Sequence, residues 1–551
     1  MEAHSVTTGT PAPETKADIP HNEESQRIDE KSRDMSKFKS QVLQPYLDGQ
    51  ADHGVVADEL AARSLIPPNT AHERSFAFVG PEIPSFESEN CTACMECVII
   101  CPDIAIRTRG VTEEKLESSL SHVADESLRE GLREQFVKTR KLWKSFEKKG
   151  EDPAFFSLWI DPDRCKGCGV CVEVCGTRDA LHMREKSPSQ MQSYAEGVSF
   201  VKQELPPTPQ EYISEKRLTD KYMQESCWVS DGGAGSCAGC GEITAINMAL
   251  TATSIKYGKD MAIVASTGCN TVYSSTYPYN IFDVPWTNSL FENGPTTAMG
   301  VRMRLDQEGK EDTKLWVLGG DGAMFDIGFQ ALSRLLASNM NINVLVLDTQ
   351  AYSNTGGQAS TATFLGQNAK MSVHGSVQHG KIDRRKELGL IAMNHPDVFV
   401  AQISPSYYNH YLKTVLAALE YPGPSVLIAY SACTPEHQIA DNMTYQQGIS
   451  VVNSRAFPLY VYDPRKGETF RERLELKANP SYKKDWHVDE KTGERITQDF
   501  VWFARSEGRF AKQFDKDGNP SETLLASQED RLKNWRTLQE LAGILKTETA
   551  G

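Results

Sequence analysis

The sequence predicts an α/β protein: a doubly wound domain on an open parallel sheet, joined to a smaller α+β domain held by cysteines. Three observations carry this. The stretch 315–358 reads LWVLGGDGAMFDIGFQALSRLLASNMNINVLVLDTQAYSNTGGQ. An apolar run stops at Gly319-Gly320-Asp321-Gly322, and Phe325, Phe329, Leu332, Leu335 and Leu336 follow at helical spacing. A second apolar run then stops at Asp348-Thr349, which makes a strand, glycine turn, helix, strand unit. Further apolar runs, 261–265 and 425–429, end near Cys269 and Cys433. One parallel sheet would bring Cys269, Asp321, Thr349 and Cys433 to the same rim. Finally, Cys91, Cys94, Cys97 and Cys101 make C-x2-C-x2-C-x3-C, and Cys165, Cys168, Cys171 and Cys175 repeat it.

Composition narrows the class. A chain of 551 residues holds two or more domains, and its 39% apolar content is ordinary for a soluble protein. A net charge of −15 argues against a nucleic-acid or anionic-membrane surface. No apolar run has the length of a membrane span. The N-terminus lacks a basic segment followed by an apolar one, so no secretory signal is visible and a cytoplasmic location is expected. Most of the thirteen cysteines fall in C-x-x-C clusters, the pattern of metal sites in a reducing compartment rather than of disulfides.

In chain order, residues 1–82 read as an N-terminal tail and linker. The first fifty or so are polar and charged, either loosely held or an arm around a partner. Residues 83–185 form the cysteine domain. Two such runs mark a bacterial-type ferredoxin with two [4Fe–4S] clusters, in which the fourth cysteine of each run ligates the other cube. Cys91, Cys94, Cys97 and Cys175 then share one cluster, and Cys165, Cys168, Cys171 and Cys101 the other. Zinc sites use cysteine pairs or Cys/His sets rather than four cysteines this tightly spaced. One departure is Gly176, where proline would follow Cys175. The insertion 111–157 carries Leu116, Leu120, Leu128, Leu132 and Phe136 among many charges, as amphipathic helices do. It fits a helical hairpin on the domain's own surface or a docking face for a partner.

Residues 186–226, polar and proline-bearing, suggest a connector running along another subunit. Residues 227–455 hold the larger α/β domain. In it, glycines allow backbone to approach a ligand, and a helix start after them favours a phosphate. Asp321 and Thr349 supply hard oxygens suited to Mg²⁺ shared with a diphosphate. Near its start, Cys237 and Cys240 sit in SCAGCGE. With Cys269 and Cys433 they could bind a third cluster, though spacing alone leaves the last two equally readable as buried thiols. Cys227 is left over and reads as a free buried thiol. Residues 456–551 are expected to wrap the core.

The GDG turn resembles the thiamine-diphosphate motif, and DTQAYSNTGGQ is similar to the pyruvate:ferredoxin (2-oxoacid:ferredoxin) oxidoreductase family. The resemblance runs from about residue 86 to about 510 and corresponds to the C-terminal half of the single-chain enzymes. It implies a thiamine-diphosphate-binding domain with a proximal [4Fe–4S] cluster on Cys237, Cys240, Cys269 and Cys433. By the same resemblance Asp321, Thr349 and the Ala351 carbonyl would hold Mg²⁺, and Gly320, Gly322 and Ala323 would face the diphosphate. Gln350, Tyr352, Ser353 and Asn354 complete the cofactor-binding run, with Asn354 and Glu242 expected to be catalytic and Glu242 and Cys269 to touch the thiamine. Where many thiamine enzymes have Asn, Thr349 agrees with this family.

What the resemblance implies for function is oxidative decarboxylation of a 2-oxo acid, pyruvate first, with coenzyme A, to acetyl-CoA and CO₂ or the reverse. Electrons would pass through three [4Fe–4S] clusters to ferredoxin or flavodoxin. The same chemistry on 2-oxoglutarate or another 2-oxo acid is the alternative within the family, and an iron–sulfur electron-transfer scaffold without thiamine catalysis the alternative outside it. The family's pyrimidine-binding and coenzyme A domains have no counterpart here. A partner subunit is therefore expected to supply them in a two-fold-symmetric hetero-oligomer, with this chain, which opens on Met1 and a tail of its own, as a separate gene product of the beta type.

Overall fold

The computed structural model describes residues 35–62, 66–375, 379–490 and 493–545. The chain forms two compact units, Met1–Pro67 and Pro68–Gly551. In the first, residues 1–34 of the expected tail lie outside the described residues. Residues 35–47 are helical rather than loose, since Phe38, Val42 and Leu43 give that stretch an apolar stripe that is buried.

In the second unit the cysteine region has four strands: β1 (Glu82–Phe86), β2 (Ile106–Val111), β3 (Phe155–Ile160) and β4 (Leu181–Glu185). β1 pairs antiparallel with β4, and β2 with β3. Helix α1 (Glu96–Ile100) carries the end of the first cysteine run, and α4 (Val170–Cys175) the end of the second. Between β2 and β3 the insertion folds as α2 (Glu113–Leu120) and α3 (Glu126–Glu134). Its apolar residues Leu116, Leu120, Leu132 and Phe136 close their own small core with Phe155, Trp159, Val198 and Val201. Of the two readings of this insertion, its apolar face is spent on the domain itself. Val198 and Val201 belong to α5 (Pro188–Gln203), a helix in the stretch expected to run as a connector along another subunit. Gly197 lets it close on β3, since a methyl there would stand 2.5 Å from the Trp159 ring.

The larger region is built on one sheet of eight strands. β5 (Met261–Ser266), β6 (Trp286–Ser289), β7 (Lys314–Gly320), β8 (Asn343–Asp348), β9 (Phe399–Ile403) and β10 (Ser425–Tyr430) are parallel. β11 (Tyr460–Tyr462) and β12 (Leu474–Glu475) add antiparallel at one edge, so residues expected only to wrap the core extend its sheet. The order is β12-β11-β9-β10-β8-β7-β5-β6. Side chains alternate between two cores: Trp316, Leu318, Leu345, Leu347, Leu427 and Ala429 face one, and Leu315, Val317, Val344, Val346, Val426 and Ile428 the other. Both faces are covered, which is why these strands read as unbroken apolar runs. On the first face lie α6 (Gly241–Tyr257), α7 (Cys269–Ser274), α11 (Tyr408–Leu419) and the cysteine region, whose Cys97, Cys165 and Cys171 belong to the same core. On the second lie α8 (Gly294–Gln307), α9 (Phe329–Leu336), α10 (Leu388–Met393) and the C-terminal helix Glu522–Leu541. Among the described residues no helix is long and apolar enough to cross a membrane.

Candidate active site

Strand order places the site. From β5 the chain moves outward to β6, and from β7 it moves the opposite way to β8. Adjacent strands whose exits diverge leave a crevice beyond their carboxyl ends. A cavity of about 270 Å³ opens there, lined by Thr267, Gly268 and Cys269 after β5, Gly320 to Ala323 after β7, and Thr349 and Tyr352 to Asn354 after β8. Glu242, in the first turn of α6, closes its inner side. Of the cofactor-binding residues expected from sequence, only Gln350 and Ala351 lie behind this wall. Gln350 is fully buried, with its amide nitrogen donating to Asp348 O at 3.0 Å and its Oε1 accepting from Arg509 at 3.0 Å.

Three hard oxygens meet at the cavity wall, that of Ala351 just behind it. The Thr349 hydroxyl is 3.3 Å from Asp321 Oδ1 and 3.0 Å from Ala351 O, and accepts from Ser353 Oγ at 2.8 Å. Ser360 donates to Asp321 Oδ2 at 2.5 Å. One hydroxyl proton on Thr349 cannot serve Asp321 and Ala351 at once, so an acceptor is always left over. Asp321 is buried, and burial followed by the nearby Asp348 charge raises its carboxyl well above the ordinary range. The buried cation beside it, Arg385, is already paired with Asp348. This surplus of acceptors and negative charge fits a small divalent cation of the Mg²⁺ kind.

The helix after the glycine turn begins later than sequence spacing indicates. Residues Gly322–Ile327 form a wide π turn, and α9 starts only at Phe329. Gly328 sits at the join, where a methyl would lie 2.2 Å from Ala323 O and 2.9 Å from Phe291 O. The wide turn aims Asp326 back at the loop after β8. Its carboxylate accepts from the Tyr352 hydroxyl at 2.6 Å and from the Thr361 amide at 3.1 Å.

A second cavity, of about 200 Å³, abuts the first. Cys237, Cys240, Cys269 and Cys433 all line it, and it shares Glu242, Cys269, Thr349, Ser353 and Asn354 with the first. Burial pushes the Cys433 thiol up to about 12, and the Glu242 carboxyl up to about 7 against the opposing hydrogen bonds of Tyr273 and the Asn270 amide. Four thiols around one space, Cys237 exposed and the other three half-buried, with no disulfide among them, suit a metal cluster that would take them as thiolates.

The cysteine runs converge in the crossed pattern. Cys91, Cys94, Cys97 and Cys175 line one space. Cys101 does not line that space and lies within electrostatic reach of Cys165, Cys168 and Cys171, and its Sγ accepts from the Ala105 amide at 3.3 Å. Gly167 holds the second loop in a left-handed conformation, φ 73°, where a methyl would stand 2.4 Å from Glu82 O. Among the described residues no three His, Cys, Asp or Glu side chains converge on a single-ion point. Cysteines arranged around a space are what a cube of irons needs.

Sequence reasoning missed the support beneath the site. His437 is fully buried and kept neutral by burial. Its Nδ1 accepts from the Cys433 amide at 3.4 Å and its Nε2 donates to Thr349 O at 2.9 Å, tying the two cavities together. Arg509 pairs with Glu507 at 2.6 Å and holds Gln350. None of these lies in a motif, though His437 four residues after Cys433 at a helical turn is a usable cue.

Residues 266–429 match the family described as thiamine pyrophosphate enzyme, C-terminal TPP binding domain, and residues 158–178 match the 4Fe-4S binding domain. The probable pyruvate-flavodoxin oxidoreductase of Escherichia coli K12 is 30% identical over 469 residues, 73% of this chain and 38% of that protein. The chain belongs to the 2-oxoacid:ferredoxin oxidoreductase family. Another of its relatives, the pyruvate:ferredoxin oxidoreductase of Moorella thermoacetica, is 27% identical over 92% of this chain and 46% of its own length. The chain thus spans less than half the length of the curated relatives it matches. A solved 2-oxoglutarate:ferredoxin oxidoreductase from Magnetococcus marinus is 22% identical, with a TM-score of 0.34 over 40% of this chain and 72% of that one. That likeness is too slight to favour one 2-oxo acid over another.

Proposed function

We propose that this chain holds the diphosphate half of a thiamine site and connects it to three [4Fe–4S] clusters, within an enzyme that oxidises pyruvate with coenzyme A and passes electrons to ferredoxin or flavodoxin. One observation carries this reading: the candidate thiamine cavity and the four-cysteine cavity share a wall of Glu242, Cys269, Thr349, Ser353 and Asn354. A cofactor and a cluster placed in these spaces would be near neighbours. Pyruvate and the two acceptors are supported by the relatives' names.

Bound thiamine diphosphate supplies an electron sink for decarboxylation of a 2-oxo acid. In this reading Asp321, Thr349 and the Ala351 carbonyl hold Mg²⁺, and Gly320, Gly322 and Ala323 present backbone to the diphosphate. A methyl on Gly322 would come 3.0 Å from the Tyr352 ring, so glycine keeps that wall close while leaving the cavity open. Asn354 stands at the mouth, placed to meet the substrate. Glu242, held by the Tyr273 hydroxyl at 3.3 Å, is positioned to move or hold a proton between the two cavities. Cys237, Cys240, Cys269 and Cys433 hold the nearest cluster, and the two crossed cysteine sets carry electrons outward.

The other half of the cavity lies outside these residues, and we read it as a partner subunit bearing pyrimidine-binding and coenzyme A domains. Exposed Ile327 and Val272, which line the first and second cavities, and exposed Leu290, next to the cavity residue Phe291, support a large apolar contact there. Such a contact would exclude water from the reacting centre. The test is pyruvate- and coenzyme A-dependent acceptor reduction by the reconstituted complex, with bound thiamine diphosphate measured in parallel. A complex that binds no thiamine diphosphate would overturn the reading.

A further inference from the structure

A buried charge pair lies between the second cysteine run and the loop that leads to Cys237, and no cofactor motif calls for it. Lys166 follows Cys165, and Asp103 stands two residues after Cys101. Their side chains are 1% and 4% exposed, with Lys166 Nζ 2.6 Å from Asp103 Oδ1. The contact is poorly directed for a hydrogen bond, so it acts as charge against charge. The ammonium's donors go to the neighbouring loop instead: Ala234 O at 2.9 Å, Ser236 O at 2.8 Å and Ser236 Oγ at 3.0 Å. Ser236 immediately precedes Cys237. Across the same junction Asn247 of α6, the helix that starts behind Cys240, donates to Pro102 O at 2.9 Å. Holding two loops together needs only neutral donors, and burying both charges costs more than burying an apolar pair of that size.

We propose that Lys166 and Asp103 set the relative reduction potentials of two neighbouring clusters, the one on Cys101, Cys165, Cys168 and Cys171 and the one on Cys237, Cys240, Cys269 and Cys433. This rests on the cluster reading above. Reducing a cluster adds one negative charge, so a buried cation beside it favours the reduced state and a buried anion disfavours it. Lys166 adjoins Cys165 in sequence and is bonded to Ser236 beside Cys237, which places its charge between the two sets, while Asp103 adjoins the first set through Cys101. Both are positioning residues, and no electron passes through either.

The experiment is a potentiometric titration of the anaerobically purified chain followed by electron paramagnetic resonance. Lys166→Met should move the midpoint of one or both clusters downward, and Asp103→Asn should move it upward. The cluster on Cys91, Cys94, Cys97 and Cys175 should move less. Opposite shifts from the two partners of one contact are not what a packing role produces. Unmoved midpoints in both variants, at wild-type iron content, would overturn the proposal and leave the clusters standing. A wild-type chain without [4Fe–4S] signals would overturn the cluster reading and the proposal with it. Should Lys166→Met fail to fold, Asp103→Asn decides alone: an upward shift supports the proposal and an unmoved midpoint overturns it.

Discussion

Asp321 is the residue on which the proposed cation site turns. It is the one carboxylate among the three converging oxygens, and it is buried at the cavity wall. Asp321→Ala should weaken Mg²⁺-dependent thiamine diphosphate binding by at least about 10-fold and leave the cluster spectra unchanged. Calorimetric titration of the two proteins would check this, and wild-type affinity in the variant would reduce the glycine turn to a structural role. A different residue governs a pH effect. Burial holds the His410 imidazole down at about 4 from an ordinary 6.5. Below pH 6.5 the unfolded chain takes up this proton and the folded chain does not. Stability is therefore full above pH 6.5 and falls as pH drops toward 4, by at most about 1.4 kcal/mol per pH unit from this group. His410→Leu should lose less thermal stability than wild type between pH 6.5 and 5, and equal losses in the two proteins would contradict the assignment. At this scale the motif residues were legible because their chemistry forces their spacing. His437, Arg385 and Arg509 were not, because a buried partner can come from anywhere in the chain, and Arg509 reaches Gln350 across 159 positions.

At the scale of elements, the four apolar runs expected to reach one rim are four adjacent strands, β5, β7, β8 and β10. They were readable because a parallel sheet covered on both faces leaves no polar alternation to confuse the pattern. The helix α5 and the edge strands β11 and β12 were not readable. α5 buries only a narrow stripe, Val198, Phe200 and Val201, amid polar residues. The edge strands are two or three residues long and take their conformation from the neighbour they pair with. The late start of α9 has the same origin: Gly328 is required by contacts from Ala323 and Phe291, not by helix propensity. Gly328→Ala should therefore cost about 1–3 kcal/mol of stability and loosen the turn that carries Asp321. Denaturant unfolding with a parallel cofactor titration checks both, and an alanine variant as stable as wild type would show that the turn has room.

For the whole molecule, the proposed assembly divides the labour. In that proposal this chain would supply the ligands of the diphosphate, the cation and the clusters, and a partner the pyrimidine and coenzyme A sites. By itself the 551-residue chain should reduce no acceptor with pyruvate and coenzyme A, and adding the partner should restore turnover. Full turnover by the isolated chain would remove the partner from the scheme. The grouping of Cys175 with Cys91, Cys94 and Cys97 around one space was legible from spacing alone. The third set was not, because Cys269 and Cys433 are separated by 163 residues and only the sheet brings them together. The central claim, a thiamine site with its own cluster across one shared wall, is tested most directly by counting metal. Anaerobically purified chain should carry about twelve iron atoms and about twelve acid-labile sulfides, three cubes of four. About eight of each would leave the cavity of Cys237, Cys240, Cys269 and Cys433 without a cluster and contradict the claim.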